Sequence, residues 1–289
     1  MTEPPLTIAI LHPGRMGAAL ATVLTAPERR LLCCLEGRSE ATRQRAHDGG
    51  LISVPMRQLA NEADIALSIV EPAVAYPVAM DLVTAGFHGL LIEANAIRPQ
   101  ALRAIADRVH AGGGQVVDAS IMGPPPARNL PQPTRLYLSG PTSGVDVATT
   151  LFTAQELRTT VLGEDLGQAS ALKLAHSTVH KAGRALALLG HALAQEHGLS
   201  SELAEEMSRW SHPASNPEQF PSVASRSWRW GDELREAAEE LHDSGLPSEL
   251  VVHAAALFDL LADFKGASPT SEEIFNALNR HGPDMDSVG

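Results

Sequence analysis

The sequence predicts an α/β fold in which a doubly wound parallel sheet is followed by an all-α domain. Three observations predict it. Up to about residue 140, short apolar runs alternate with helix-forming segments. A glycine turn joins the first of these runs to the first helical segment. Beyond Gly163 the strand-like runs stop and long Ala- and Leu-rich stretches take over. The expected division is therefore residues 1–163 and residues 164–289.

Each strand follows from composition. "TIAIL", "LLCCL", "DIALSIV", "GLLIEA" and "GQVVDAS" are short, rich in Val, Ile and Leu, and bounded by Gly, Pro, Asp or Asn. Continuous apolar character, rather than alternation, suits strands buried on both faces, as in a parallel sheet covered by helices. Ala18–Thr25 and Ala41–Ala46 have helical composition and spacing. "RLYLSG" (Arg135–Gly140) is expected as an outer strand, and the proline-rich stretch before it as an ordered loop. Ala169–His197 contains no proline and predicts one helix of roughly 40 Å at 1.5 Å per residue, stopped by Gly198. "GDELREAAEELHDSG" and "SELVVHAAALFDLLADF" predict further amphipathic helices, stopped by Gly245 and Gly266. The last few residues are expected to be disordered.

Composition excludes several functions. A formal net charge of -12 argues against a nucleic-acid or acidic-membrane binder, which needs clustered Lys and Arg. Aromatic residues make up 4% of the chain, too few for base-stacking platforms. No apolar run approaches the roughly 18 residues of a membrane span, and no export leader is read at the N-terminus. Cys33 and Cys34 lie in an apolar run and read as strand residues in a reducing, cytoplasmic setting.

The turn "LHPGRMG" points to a cofactor. A dinucleotide fingerprint asks for G-x-G-x-x-G, so that backbone N–H groups at the helix N-terminus can meet a pyrophosphate. Gly14 and Gly17 take the second and third positions; His12 stands at the first. Placed between a strand and a helix, His12, Pro13, Gly14, Arg15, Met16 and Gly17 form a candidate Rossmann phosphate turn whose backbone His12 must alter. Past the second strand, Glu36 could bind the ribose 2′-OH of NAD. Arg38 and Ser39, after Gly37 and with Arg43 a turn further on, offer a guanidinium and a hydroxyl to the 2′-phosphate of NADP. NADP is the favoured cofactor and NAD the second choice.

The long helix carries a second site. Lys173, His176, Ser177, His180, Arg184 and His191 recur at helical spacing and are expected on roughly one face, with Leu172, Val179, Leu186 and Leu189 elsewhere. A basic stripe on a buried helix needs a partner, such as an anionic substrate. Lys173 is the candidate general acid/base. His176 and His180 have metal-ligand spacing, but Ser177 stands where a zinc protease motif needs Glu, and no metal is expected. Trp228 and Trp230 could line a pocket in the C-terminal part, or divide between core and surface.

"LHPGRMGAALA", "SIVEP", "EANAIRP", "DASIMGPPP" and "GQASALKLAHS", in this order and spacing, resemble the β-hydroxyacid dehydrogenase superfamily. That group includes 3-hydroxyisobutyrate and 6-phosphogluconate dehydrogenases, with imine reductases as relatives. The C-terminal part resembles a branch with its own phosphogluconate-dehydrogenase-like domain. The resemblance implies that Lys173 exchanges a proton with substrate, that His176 and Ser177 contact substrate, and that Val70, Pro72 and Asn95 line the cofactor. It also implies a homodimer. The substrate loop departs from the family pattern: Met122 replaces a serine and Pro124 a glycine, leaving Gly123 between them and Ser120 as an alternative hydroxyl. The expected function is hydride transfer between nicotinamide and a carbonyl or hydroxyl carbon of a small, hydroxy-acid-like molecule, in a cleft beside the long helix. The alternatives are imine reduction and a non-catalytic NADP sensor.

Overall fold

The computed structural model describes residues 4–209 and 217–280, and the chain divides into two units, Met1–Lys173 and Leu174–Gly289. The expected boundary at residue 163 ends the last strand; the division by contacts falls later, inside the next helix.

The first unit alternates strands and helices. In order these are β1 (Leu6–Leu11), α1 (Arg15–Leu24), β2 (Arg29–Cys33), α2 (Glu40–Asp48), β3 (Ile52–Ser53), α3 (Met56–Glu62), β4 (Ile65–Ser68), α4 (Pro72–Thr84), β5 (Leu90–Glu93), α5 (Pro99–Ala111), β6 (Gln115–Met122), β7 (Thr134–Ser139), α6 (Thr142–Leu151), β8 (Leu157–Gly163) and α7 (Gln168–Ser177). They form one sheet in the order β3-β2-β1-β4-β5-β6-β7-β8. Alternation along each strand feeds two cores. Ile8, Ile10, Leu31, Cys33, Ile65, Leu67 and Ile92 pack to one side. Ala9, Leu11, Leu32, Cys34, Ala66 and Leu91 pack to the other. Because helices cover both faces, both registers of each strand are apolar, which explains the continuous runs in the sequence.

Two features depart from the expectation. The sheet is not wholly parallel: β6 and β7 pair antiparallel, Ser120 opposite Tyr137. The proline-rich segment between them holds no helix to make a crossover, so the chain can only return alongside β6 in the opposite sense. Nor is β7 outermost, because β8 pairs with it in parallel and forms the edge. β1 lies between β2 and β4, so the chain passes to opposite sides of it, and its C-terminal end is the switch point where such sheets bind ligands.

The second unit is helical. The tail of α7 leads through a π-helical segment, Thr178–Ala182, into α8 (Gly183–Glu196). There follow α9 (Ser200–Arg209), α10 (Phe220–Ala224), α11 (Ser227–Asp243), α12 (Glu249–Asp259) and α13 (Ser271–Arg280). Leu188, Phe220, Leu234, Phe258, Ile274 and Phe275 build its core. Trp230 belongs to that core and meets Phe258 edge-on at 5.5 Å, so it lines no pocket; Trp228 is half-buried beneath the Lys265 ammonium. Gly198, Gly245 and Gly266 all take the left-handed backbone expected of helix stops. The expected C-terminal disorder falls outside the described residues. No described helix is long and apolar enough to cross a membrane.

Burial corrects the single-face reading of the long helix, already between His176 and Ser177, and the π segment shifts the phase beyond them. A π turn adds a residue to the helical repeat and rotates each later side chain about the helix axis. Ser177, Lys181, Arg184 and His191 are buried, whereas His176 and His180 are exposed, along with Val179 (78%) and Leu186 (50%). The two exposed imidazoles stack at 5.0 Å. The side chain of Leu189 lies outside the described residues.

Candidate cofactor and proton-transfer site

The candidate glycine turn lies between β1 and the start of α1. Gly14 caps α1, no side chain occupies its cap position, and no acidic residue lies in the first turn. A Cβ added to Gly14 would meet nothing, so the approach to the N-terminal N–H groups is open. At Gly17 a Cβ would come within 3.2 Å of the Ile10 side chain, which is why the helix can lie close on β1 only with glycine there. Arg15 is exposed at the mouth, Met16 is half-buried and packs on the sheet core, and Pro13 is buried.

His12 does not abolish the turn. It adopts φ 56°, the left-handed conformation that the missing glycine would supply, and its carbonyl accepts a hydrogen bond from the Gly14 N–H at 2.7 Å. Its Nε2 lies 3.1 Å from Nη2 of Arg38. Burial, and then the Arg38 charge, push the imidazole down to about 4, against a smaller upward pull from Asp81. The ring is therefore neutral at pH 7. A guanidinium only donates, so Nε2 accepts and the ring proton is assigned to Nδ1. Nδ1 is buried and has no partner among the described residues.

Arg38 reaches this position from an exposed turn in which its N–H donates to the Leu35 carbonyl at 3.2 Å and Gly37 takes φ 68°. Ser39 caps α2, its hydroxyl accepting from the Thr42 N–H. Glu36 is exposed on the same turn.

Across the switch point, the ends of β4 and β5 are tied together. Asn95 is 3% exposed; its amide donates to the Ser68 hydroxyl at 2.8 Å and its oxygen accepts from the Val70 N–H. The Asn95 side chain is therefore committed to tying these strand ends together. Pro72 opens α4 at the same edge. Sequence reasoning missed Glu93 beneath this bridge. It is 1% exposed, accepts from the Asn95 N–H at 3.0 Å, and is pushed up to about 8 by burial.

Lys173 is placed by β6 from two points. Asp118 receives the N-terminus of α7: its oxygens accept from the Ser170 N–H at 2.9 Å, the Ser170 hydroxyl at 2.7 Å and the Ser139 hydroxyl at 3.1 Å. A carboxylate there also suits the positive end of the helix. Burial nonetheless holds Asp118 above the usual carboxylate range. One turn on, Nζ of Lys173 donates to the Ile121 carbonyl at 2.7 Å, at the root of the loop that follows β6. Met122 is half-buried at that root, and Gly123 is exposed with φ 114°. Ser120 is not available as the replacement hydroxyl: it is 1% exposed and donates to the Ala169 carbonyl. The "DAS" of the sequence thus anchors the lysine helix instead of gripping a ligand.

In the second unit, Ser177 is fully buried and its hydroxyl has no partner among the described residues, while His176 is exposed. Arg184 donates to the His180 carbonyl at 2.8 Å and to Gln219 at 3.3 Å, and burial lowers its pKa.

The chain thus joins an eight-stranded α/β sheet unit, with a glycine turn opening α1 and a lysine held at the end of β6, to a helical C-terminal unit. Comparisons with known proteins bear on the fold. Residues 194–261 match the family model described as a domain of unknown function, DUF1932. The conserved protein MTH1747, of unknown function and described as structurally similar to 3-hydroxyacid dehydrogenases, is 25% identical over 90% of this chain and 98% of its own, with a TM-score of 0.63. The Mycobacterium tuberculosis 3-hydroxyisobutyrate dehydrogenase, solved with L-serine, is 17% identical over 95% of this chain and 99% of its own, with a TM-score of 0.71. The Aspergillus terreus reductive aminase, solved with NADPH and ethyl levulinate, is 16% identical over 94% and 99%, with a TM-score of 0.55. No curated protein matches in sequence. The chain has the fold of the β-hydroxyacid dehydrogenase superfamily and carries a DUF1932 domain in its C-terminal part.

Proposed function

We propose that the protein is an NADP-preferring oxidoreductase that interconverts a carbonyl and a hydroxyl carbon of a small, hydroxy-acid-like substrate, with Lys173 as general acid/base. The observation that carries this reading is the double anchorage of Lys173 on β6, through Asp118 and the Ile121 carbonyl, at the same sheet edge as the open phosphate turn. The turn residues fit a dinucleotide. The N-terminus of α1 is uncrowded at Gly14, which supports a pyrophosphate there, and Arg38 and Ser39, on the turn after β2, offer a guanidinium and a hydroxyl to a 2′-phosphate. The bound nicotinamide supplies or removes the hydride. The protein's part is to orient, to exclude water and to move one proton at Nζ. In reduction, the ammonium of Lys173 donates that proton to the substrate oxygen; in oxidation, the neutral amine takes it from the hydroxyl.

Lys173→Ala should lower kcat by about 10²- to 10⁴-fold, the usual weight of general acid–base catalysis, and leave NADPH affinity within twofold. Retained turnover would remove Lys173 from the reaction. Imine reduction is the second reading, favoured by Met122 in place of a hydroxyl at the loop root; activity on cyclic imines and none on 2- or 3-hydroxy acids would select it. NADPH binding with no turnover across both panels would select the sensor.

The same reading makes the protein a homodimer, supported by Val179 and Leu186 standing exposed along one stretch of helix. A reducing, cytoplasmic setting is supported by Cys33 and Cys34, both free and buried in the sheet region.

A further inference from the structure

Among the described residues, His12 is the one non-glycine residue with a positive φ. That conformation is disfavoured for an L-residue, and glycine would adopt it freely. The turn geometry therefore gives no reason for histidine. The side chain does. Its Nε2 holds the guanidinium of Arg38, 26 residues away, across the gap between the end of β1 and the turn after β2.

The chemistry of the contact is selective. A neutral imidazole accepts one of the five N–H donors of Arg38 and leaves the others for a ligand. It does not cancel the positive charge. A carboxylate in its place would neutralise the guanidinium and compete with an incoming phosphate; glycine would leave an exposed arginine with its side-chain entropy to lose on binding. The other charged group acting on the ring, Asp81 of α4, has a smaller effect on it than Arg38.

We propose that His12 is a specificity-determining residue that positions Arg38 for the 2′-phosphate of NADP(H), so that the pyrophosphate turn itself selects the phosphorylated cofactor. This rests on the reading of the site as a nicotinamide dinucleotide site. His12 acts through Arg38, as a positioning residue, and need not touch the cofactor.

The test is calorimetric titration of the full chain with NADPH, NADH and adenosine 2′,5′-bisphosphate, for wild type, His12→Gly, Arg38→Ala and the double variant. Glycine suits φ 56°, so His12→Gly retains the turn. The expected result is about tenfold weaker binding of NADPH and of the bisphosphate with NADH unchanged or tighter, and no further loss of preference when His12→Gly is added to Arg38→Ala. An unchanged NADPH/NADH ratio in His12→Gly, or an equal loss for both nucleotides, would overturn the proposal, since a purely structural turn residue weakens both alike. Wild type that binds neither nucleotide overturns the cofactor reading itself, before any variant is compared.

Discussion

Glu93 has one oxygen accepting from Asn95 and the other buried with no partner among the described residues, and burial raises its pKa from the usual 4.5 to about 8. A carboxyl raised on folding binds its proton more tightly in the native state. Stability is then full below about pH 4.5, falls as pH rises from 4.5 through 8, and levels off above that. Glu93→Gln, which imitates the protonated form, should flatten this dependence and gain a few kcal/mol at pH 9, read from denaturant midpoints between pH 5 and 9. An unchanged pH profile would place the ionisation elsewhere. Little of this is legible in the sequence, because Glu93 closes an apolar run and burial of a carboxylate depends on the chain that folds over it. His12 is legible as an anomaly, a side chain where glycine belongs. Its partner is not, since Arg38 becomes a neighbour only through the pairing of β1 with β2.

The strands are readable in proportion to how many of their faces are buried. β1, β2, β4, β5 and β6 are enclosed on both sides and announce themselves as unbroken apolar runs. β8, at the edge, has mostly exposed or half-buried residues, and its mixed sequence gives no signal. The long helix is legible in extent and not in phase. A π segment leaves composition untouched while rotating every later side chain, so Arg184 and His191 go inward and Leu186 outward. Val179 and Leu186, thus exposed, are the elements of the proposed dimer face. Light scattering should give twice the 30.6 kDa chain mass, and Val179→Asp with Leu186→Asp should give the monomer. A wild-type monomer at micromolar concentration would contradict that surface's role.

At the scale of the molecule, the first unit contains both candidate features, the phosphate turn with Arg38 and the lysine at the end of β6. On the proposed reading this reconciles a net charge of -12 with an anionic cofactor: the positive groups are local and the surplus acid lies elsewhere. The order of strands and the switch point follow from the alternation of runs and helices, whereas the antiparallel return of β7 depends on a connection whose prolines show irregularity and not direction. The most direct test of the central claim is titration of the wild-type chain and of Arg38→Ala with NADPH and NADH. The account predicts NADPH binding at least tenfold tighter than NADH, and loss of that preference in Arg38→Ala. Equal or tighter binding of NADH by the wild type, or binding of neither, would contradict it.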